Sequence, residues 1–204
     1  MNFLSKARLT LALAILCHLS TLKAQTFMKT FGGSGYEEAW SMTVAPNGDF
    51  IMVGQTNSFG AGSDDAYVIR TDGSGNEIWS KTFGGSHIDW GCSVEILGSE
   101  IIVGGTTRTF GPGMDNQYHL RLDQNGNLLG SNSYGGGGAE YTRVLKIDDN
   151  GDIVSTGYTN YIGNNDFNLL KTDAMGNLIF SKAYGNWAHD FSHHIEIGHG
   201  GDIC

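Results

Sequence analysis

The chain repeats a pattern about every fifty residues. An aromatic residue followed by glycine recurs at Phe31, Phe83, Tyr134 and Tyr184, with spacings of 52, 51 and 50 residues. Aspartates recur inside the repeats at spacings of 51 and 50: Asp72, Asp123 and Asp173. Self-similarity at a fixed period of this length is typical of repeat architectures, in which each repeat is one supersecondary unit. This period constrains the fold more than any local motif does.

Each repeat consists of short β-rich runs separated by turns that contain Gly, Asn or Asp, and it shows no helical periodicity. The predicted strands are Ser41–Ala45, Phe50–Thr56, Ala66–Thr71 and Glu77–Phe83; then Cys92–Ile96, Glu100–Thr106, Gln117–Leu122 and Asn127–Tyr134; then Arg143–Ile147, Asp152–Thr159, Phe167–Thr172 and Asn177–Tyr184. Four short antiparallel strands per unit are typical of a propeller blade. The predicted fold class is therefore all-β, a β-propeller of four-stranded antiparallel blades.

Apolar pairs occupy equivalent places in the first strand of each repeat, and we expect them to pack blade on blade. These pairs are Met42/Val44, Val94/Ile96, Leu145/Ile147 and Ile195/Ile197.

The two ends of the sequence predict an incomplete propeller. Residues 26–31 match the fourth strand of a blade, but no first three strands precede them, and Cys204 lies inside the second strand of a fourth repeat. We expect a partial propeller over residues 25–204, with repeats at about 32–83, 84–134, 135–184 and 185–204, the last truncated. The remaining blades are expected beyond Cys204.

Residues 1–24 have the pattern of a secretory signal peptide. Lys6 and Arg8 precede the apolar run Leu9–Leu16, and Ala24 offers a small residue before a cleavage site at Gln25. The run is too short to cross a membrane as a helix. The protein is therefore predicted to be secreted or displayed at the cell surface.

A lipid anchor at Cys17, or a retained anchor, is the alternative for this leader. Leu16, however, stands where a lipobox requires a small residue. No second apolar segment follows, so no membrane insertion is expected.

Charge argues against polyanionic partners. The sequence has 12 Lys and Arg against 21 Asp and Glu, and the leader takes three basic residues and no acidic one, which lowers the net charge from −9 to −12. Such a surface repels phosphate backbones, so nucleic acid is not an expected partner. Cys92 and Cys204 are the only cysteines outside the leader and lie in different repeats, so no disulfide framework is predicted.

The repeats resemble a known family. The residues that carry the resemblance are Thr82-Phe83-Gly84-Gly85, a following acidic residue, Ile-Val-Gly-Gly-Thr at 102–106, Phe110-Gly111 and Leu-Asp-Gln-Asn-Gly-Asn at 122–127. This pattern resembles the bacterial β-propeller repeats often labelled seven-bladed, and it covers residues 26–204. The resemblance implies a propeller in a secreted or cell-surface protein and implies no particular activity, because the ligands of that family are mostly unknown.

One acidic residue precedes the first strand of every repeat: Glu37, Asp89, Glu140 and Asp190. A ring of carboxylates at a channel mouth would suit a hard cation. The alternative, which we favour, is that each carboxylate accepts hydrogen bonds from the Gly-rich loop before it.

Asp72, Asp123 and Asp173 each begin a turn that ends in Gly-Asn and superficially resembles a calcium loop. The glycine spacing does not match an EF-hand loop, and no late Glu follows, so these segments are predicted to be hairpin turns.

Potential metal ligands are densest in the fourth repeat, where His189, Asp190, His193, His194 and His199 lie close together in sequence. Successive strand residues point to opposite faces, so His193 and His194 do not share a face. His189, Asp190 and His193 are therefore only weak candidates for a zinc or copper site, and neither a metal nor any cofactor is predicted.

The longer loops are predicted to share one face of the propeller and to carry the ligand site. They are the connections from second to third strand and the connections between repeats. The ligand-face candidates are Tyr36, Asp64, Asp65, His87, Asp115, Asn164, Asn165, Trp187 and His189.

The predicted function is that of an exported, non-enzymatic binding or adhesion scaffold for a protein or glycan, because no catalytic constellation is readable. The alternative is a glycan-active enzyme or its carbohydrate-binding part, with Tyr36, Tyr161 and Trp187 stacking on sugar rings.

Overall fold

The computed structural model describes residues 28–160, 163–198 and 202–203. The predicted signal peptide therefore lies outside the described residues, as do Tyr161, His199 and Cys204. The described residues form strands, turns and loops without any helix, and none of their segments is a helix long and apolar enough to cross a membrane.

Twelve strands form three four-stranded antiparallel sheets, one per repeat, each in the order of the sequence. Sheet 1 contains β1 (Glu37–Val44), β2 (Phe50–Thr56), β3 (Asp65–Thr71) and β4 (Glu77–Phe83). Sheet 2 contains β5 (Asp89–Leu97), β6 (Glu100–Thr107), β7 (Asn116–Leu122) and β8 (Leu128–Tyr134). Sheet 3 contains β9 (Glu140–Ile147), β10 (Ile153–Thr159), β11 (Asp166–Thr172) and β12 (Leu178–Tyr184). The predicted all-β class and the four strands per repeat are confirmed.

Tight turns with an aspartate at their first position join the outer strands. In the turn between β7 and β8, Asp123 accepts hydrogen bonds at 2.8 Å from the backbone N–H groups of Asn125 and Asn127, and Gly126 adopts a φ of 72°. A positive φ of this size favours glycine, which explains the Gly in the repeat. The turns after Asp72 and Asp173 have the same carboxylate-to-backbone hydrogen bonds. The hairpin prediction is confirmed, and both oxygens of each carboxylate are used within the turn.

Apolar side chains are buried where one sheet packs on the next. The first strand of each following sheet lies against the sheet before it, β5 against β1 and β2, and β9 against β5 and β6. Val94 and Leu145 are buried in these contacts, as predicted for the first-strand pairs, and Ile195 of the fourth repeat is buried against Val154 and Leu169 of sheet 3. Met42 and Val44, the equivalent pair of sheet 1, are exposed because no described sheet covers them.

Side-chain hydrogen bonds fasten the outer strand of one sheet to the turn of the next. The Trp79 indole N–H on β4 donates to the Gln124 carbonyl at 3.1 Å, and the Tyr134 hydroxyl on β8 donates to the Gly176 carbonyl at 2.7 Å. A hydrogen bond from an outer strand to the next turn therefore recurs one repeat later, although different positions of the strand and the turn make it.

The two ends depart from the predicted strands. Residues 28–31, the described part of the predicted orphan strand, are not assigned to a strand. In the described part of the fourth repeat, an isolated antiparallel bridge joins Ile197 to Ile203. A full strand needs a continuous neighbour to satisfy its backbone groups, and these segments have none among the described residues.

Candidate binding site at the bulged first strands

A β-bulge interrupts the first strand of each sheet at the same place. The register shifts leave Trp40, Cys92 and Arg143 without a partner on the second strand. Each of these residues lies three positions after the acidic residue that begins the repeat. A bulge re-aims the side chain of its extra residue, and bulges are enriched next to functional sites.

A glycine on the second strand makes each bulge sterically feasible. A Cβ atom built on Gly54, Gly105 or Gly157 would lie 1.7, 1.9 or 1.8 Å from a carbonyl oxygen of the first strand, that of Glu38, Trp90 or Tyr141. Any side chain at these positions would therefore collide with backbone. The recurrence of this glycine in the sequence is the signal from which the bulge could have been predicted.

The bulged residues of all three sheets line one pocket of about 400 Å³. Its walls come from the first and second strands of all three repeats: Trp40, Gln55, Trp90, Cys92, Thr106, Tyr141, Thr142, Arg143 and Tyr158. Apart from those three bulged residues, the wall is supplied by neighbours of the bulge on the same strand or the next. This size lies within the usual range of small-ligand sites.

Aromatic rings form much of the pocket wall. The rings of Trp40 and Trp90 meet edge to face, with centroids 5.9 Å apart and planes at 84°. Tyr141 and Tyr158 stack at 4.5 Å and 24°, and Phe191 meets Tyr158 edge to face at 5.2 Å. These geometries are the favoured ones for aromatic pairs and hold the rings in place.

Three buried polar atoms in this wall have no hydrogen-bond partner in the described structure. They are the Gln55 Oε1 acceptor, the Trp90 Nε1 donor and the Thr142 hydroxyl. Thr142 is only 1% exposed. A buried polar atom without a partner costs free energy, so three of them in one pocket require an explanation.

The protonation states in the wall do not favour acid–base chemistry. Burial raises the pKa of the Cys92 thiol to about 12, which keeps it protonated and unreactive. Burial, reinforced by the hydrogen bond to Asp115, also raises the pKa of Tyr141 to about 12. None of the nine lining residues is a carboxylate or a histidine. This pocket can bind, orient and hydrogen-bond a ligand.

The acidic residues at the start of the repeats serve the loops before them. Glu37, Asp89 and Glu140 accept hydrogen bonds from the N–H groups of the glycines four residues earlier, at 3.2, 2.8 and 3.2 Å. Each also accepts from a threonine hydroxyl of the second strand. The favoured structural interpretation is confirmed in these three repeats. Hydrogen bonds from Ser58 and Thr56 lower the pKa of Glu37.

The predicted loop face is partly assembled. Loops of successive repeats meet, since the Asp64 carbonyl accepts from the Asp89 N–H at 2.8 Å and the Asn165 carbonyl accepts from the Asp190 N–H at 2.7 Å. Tyr36 and His87 are exposed nearby, and Trp187 is 96% exposed. Asn164 donates to the carbonyl oxygen of Trp187 at 2.6 Å.

Two of the ligand-face candidates are buried. Asp65 is 1% exposed, and its Oδ2 accepts from the N–H groups of Ala61 and Gly62. Asp115 is 3% exposed and binds the Arg108 guanidinium through two hydrogen bonds of 2.9 and 3.0 Å. The Asp65 carboxylate binds its own loop through Oδ2, and its Oδ1 is buried without a described partner. The Asp115 carboxylate binds its own loop and also accepts from the Tyr141 hydroxyl at 2.7 Å.

The histidine cluster is not assembled as a ligand set. His189 accepts from the Asn165 N–H at 3.2 Å and stacks on Phe191, while His194 lies 2.7 Å from Glu196. Within the described ranges, no three His, Cys, Asp or Glu side chains are grouped as a metal ion requires. His189, Asp190 and His193 therefore do not form a described metal site. His193 occupies the position of the bulged residues and lines an adjoining cavity of about 450 Å³.

A scan against models of known protein families finds no match for this chain. A search of curated proteins likewise finds no significantly similar sequence.

Proposed function

We propose that this protein is an exported, non-enzymatic binding scaffold in which the three sheets are blades of a β-propeller. The bulged first strands then line the channel, and the pocket of about 400 Å³ at the bulges holds the ligand. Support for this arrangement comes from the packing of each first strand on the preceding sheet. Adjacent first strands in the interior are expected of propeller blades.

One observation carries the assignment of the pocket. An acceptor on Gln55, a donor on Trp90 and a hydroxyl on Thr142 are buried without described partners, on residues of a wall in which four of the nine side chains are aromatic. A ligand that supplies both hydrogen-bonding groups and apolar faces would satisfy all three atoms once these side chains turn them toward the pocket. Saccharides have this combination, because their hydroxyl groups lie at the ring edge and their C–H groups form flat apolar faces. A saccharide is therefore the ligand class we propose.

The wall of the pocket supports binding over hydrolysis. Glycoside hydrolysis generally uses two carboxyl groups on either side of the scissile bond. The nine residues around this pocket supply none.

Two tryptophan substitutions distinguish the pocket from the loop face. Trp90→Phe keeps an aromatic ring and removes the Nε1 donor, whereas Trp187→Phe changes the exposed loop aromatic. On a glycan array followed by calorimetry, we expect Trp90→Phe to weaken binding about fivefold, since one hydrogen bond contributes about 1 kcal/mol. Trp187→Phe should leave affinity unchanged.

The opposite result would place the site on the loops and overturn the pocket assignment.

Each bound glycan is also incubated with the wild-type protein and checked for cleavage. Turnover that disappears when a loop carboxylate is neutralised would contradict the non-enzymatic proposal.

Export has its own test. The leader pattern places the mature N-terminus at Gln25 or a near neighbour, and N-terminal sequencing of protein from the envelope or medium checks this. An intact Met1 on a cytosolic protein would contradict it.

A further inference from the structure

Arg143 differs from the other arginines of the described structure because it has no ion pair with a described carboxylate. The other three each pair at 2.7 to 2.9 Å: Arg70 with Asp49, Arg108 with Asp115 and Arg121 with Glu100. The whole chain has 21 acidic residues against 12 Lys and Arg. In a protein with this excess of acidic residues, most guanidinium groups are expected to pair with a carboxylate, and Arg143 does not.

Arg143 lies at the proposed ligand site and also lines the adjoining cavity of about 450 Å³. It is the bulged residue of β9, it lines the pocket of about 400 Å³, and its side chain is exposed. Its guanidinium carbon lies 5.4 Å from the centroid of the Tyr158 ring, within the range of a cation–π contact. No described hydrogen bond uses the N–H donors of this guanidinium.

The equivalent residues of the other sheets carry no such charge. Trp40 and Cys92 occupy the bulge in β1 and β5. The scaffold therefore does not require a cation at this position. A guanidinium supplies a planar fork of donors that matches the oxygens of a carboxylate or a sulfate.

We propose that the pocket selects saccharides that bear an anionic group, the carboxylate of a hexuronic acid or a sulfate ester, and that Arg143 binds this group. The inference rests on the proposed function, because it names the ligand class of the same site. In the bound state, the anionic group meets the guanidinium edge. The sugar ring then lies against the aromatic wall, and its hydroxyl groups bind the Gln55, Trp90 and Thr142 side chains, which turn their polar atoms toward the pocket.

The test compares three trisaccharides of one backbone by calorimetry: galacturonic acid, galactose and sulfated galactose. Arg143→Gln removes the charge and keeps a polar side chain of moderate length. We expect it to weaken binding of the charged trisaccharides about 10- to 100-fold, as for a charge-assisted bidentate pair, and to change the neutral one less than about twofold. Arg143→Lys should recover only part of the loss, because lysine lacks the fork.

Lys182→Gln is the matched control. The Lys182 ammonium also lies 5.4 Å from an aromatic centroid, that of Phe180, but on β12 and not in the wall of the pocket. It should leave all three affinities unchanged. Raising the salt concentration should weaken only the charged trisaccharides, because salt screens exposed charges.

The outcomes separate this inference from the proposed function. Equal wild-type affinity for the neutral and charged sugars, or no effect of Arg143→Gln, overturns the role of Arg143. If Trp90→Phe still weakens binding in that case, the pocket assignment stands. If none of the three trisaccharides binds, both the pocket assignment and the role of Arg143 are overturned. If Arg143→Gln weakens binding of only the carboxylated or only the sulfated form, that result identifies the anion that the site takes.

Discussion

The Thr142 hydroxyl offers a direct test of whether the pocket is built for a ligand. Thr142 lies on β9 and is 1% exposed, and its Oγ1 has no partner in the described structure. Its backbone N–H donates to the Thr106 hydroxyl at 3.1 Å, a bond that does not depend on the Thr142 side chain. Thr142→Val replaces the hydroxyl by a methyl group of similar shape and keeps the β-branched side chain suited to a strand.

The expected changes in stability and in affinity follow from the missing hydrogen-bond partner of the Thr142 hydroxyl. A buried polar group without a hydrogen bond costs about 1–3 kcal/mol, so its removal should raise the free energy of unfolding by about 1 kcal/mol or more. For a chain of this length, each kcal/mol corresponds to about 2–4 °C in Tm. The same substitution removes one hydrogen bond to the ligand, worth about 1 kcal/mol, and should weaken binding about fivefold. Stability and affinity should therefore change in opposite directions.

Thr156→Val is the matched control for this prediction. Thr156 lies on β10 and is fully buried, but its hydroxyl donates to the Asn168 carbonyl at 2.9 Å. Its replacement leaves that carbonyl short of one donor and should lower stability by about 1–3 kcal/mol. Urea unfolding followed by tryptophan fluorescence measures both variants.

A loss of stability in Thr142→Val equal to that in Thr156→Val would refute the reasoning. It would mean that the Thr142 hydroxyl is already satisfied in the free protein. The strongest argument for the pocket would then disappear.

Two further predictions concern the scaffold. In thermal melts, Gly105→Ala should destabilise the protein by more than about 2 kcal/mol, because the new Cβ would lie 1.9 Å from the Trp90 carbonyl oxygen. Gly130→Ala is the control. The nearest atom to its new Cβ is 4.0 Å away, so it should be neutral or slightly stabilising. Burial lowers the pKa of His119 to about 3, so between about pH 6.5 and pH 3 the unfolded chain binds a proton that the folded chain does not. The free energy of unfolding should therefore fall as the pH decreases through this window, by at most about 1.4 kcal/mol per pH unit. Urea unfolding at several pH values measures this slope. If the His119→Gln variant shows the same slope as the wild-type protein, the prediction is wrong.

The strands were predictable wherever their signals are local. Phe50–Thr56 and Glu77–Phe83 were predicted residue for residue, because β-rich runs end at turns whose Asp and Gly identify them. The sequence prediction placed the start of each first strand several residues too late. Ser41 was the expected start of β1, but the strand begins at Glu37, because the bulge at Trp40 breaks the alternation that the prediction followed.

The pocket was not predictable from the sequence in the same way. Its residues come from strands of three repeats, so they approach only when the sheets pack on one another. The ligand site was predicted on the variable loops. The first strands carry a second contrast: the residue three positions after each acid varies, as Trp40, Cys92 and Arg143, while the glycine on the next strand recurs. Buried atoms without partners, such as Trp90 Nε1, are visible only in the folded chain.

The bulge explains how a repeat can be both regular and variable. A residue in the regular ladder contributes to the pleat and to packing against the next sheet, so its replacement affects the fold, as the buried Leu145 illustrates. The bulged residue has no partner on the second strand, and the glycine across from it tolerates no side chain of its own. An indole, a thiol and a guanidinium occupy the same place in three successive sheets. One position per repeat is therefore free to change the chemistry of the pocket while the acid, the glycine and the turn preserve the sheet.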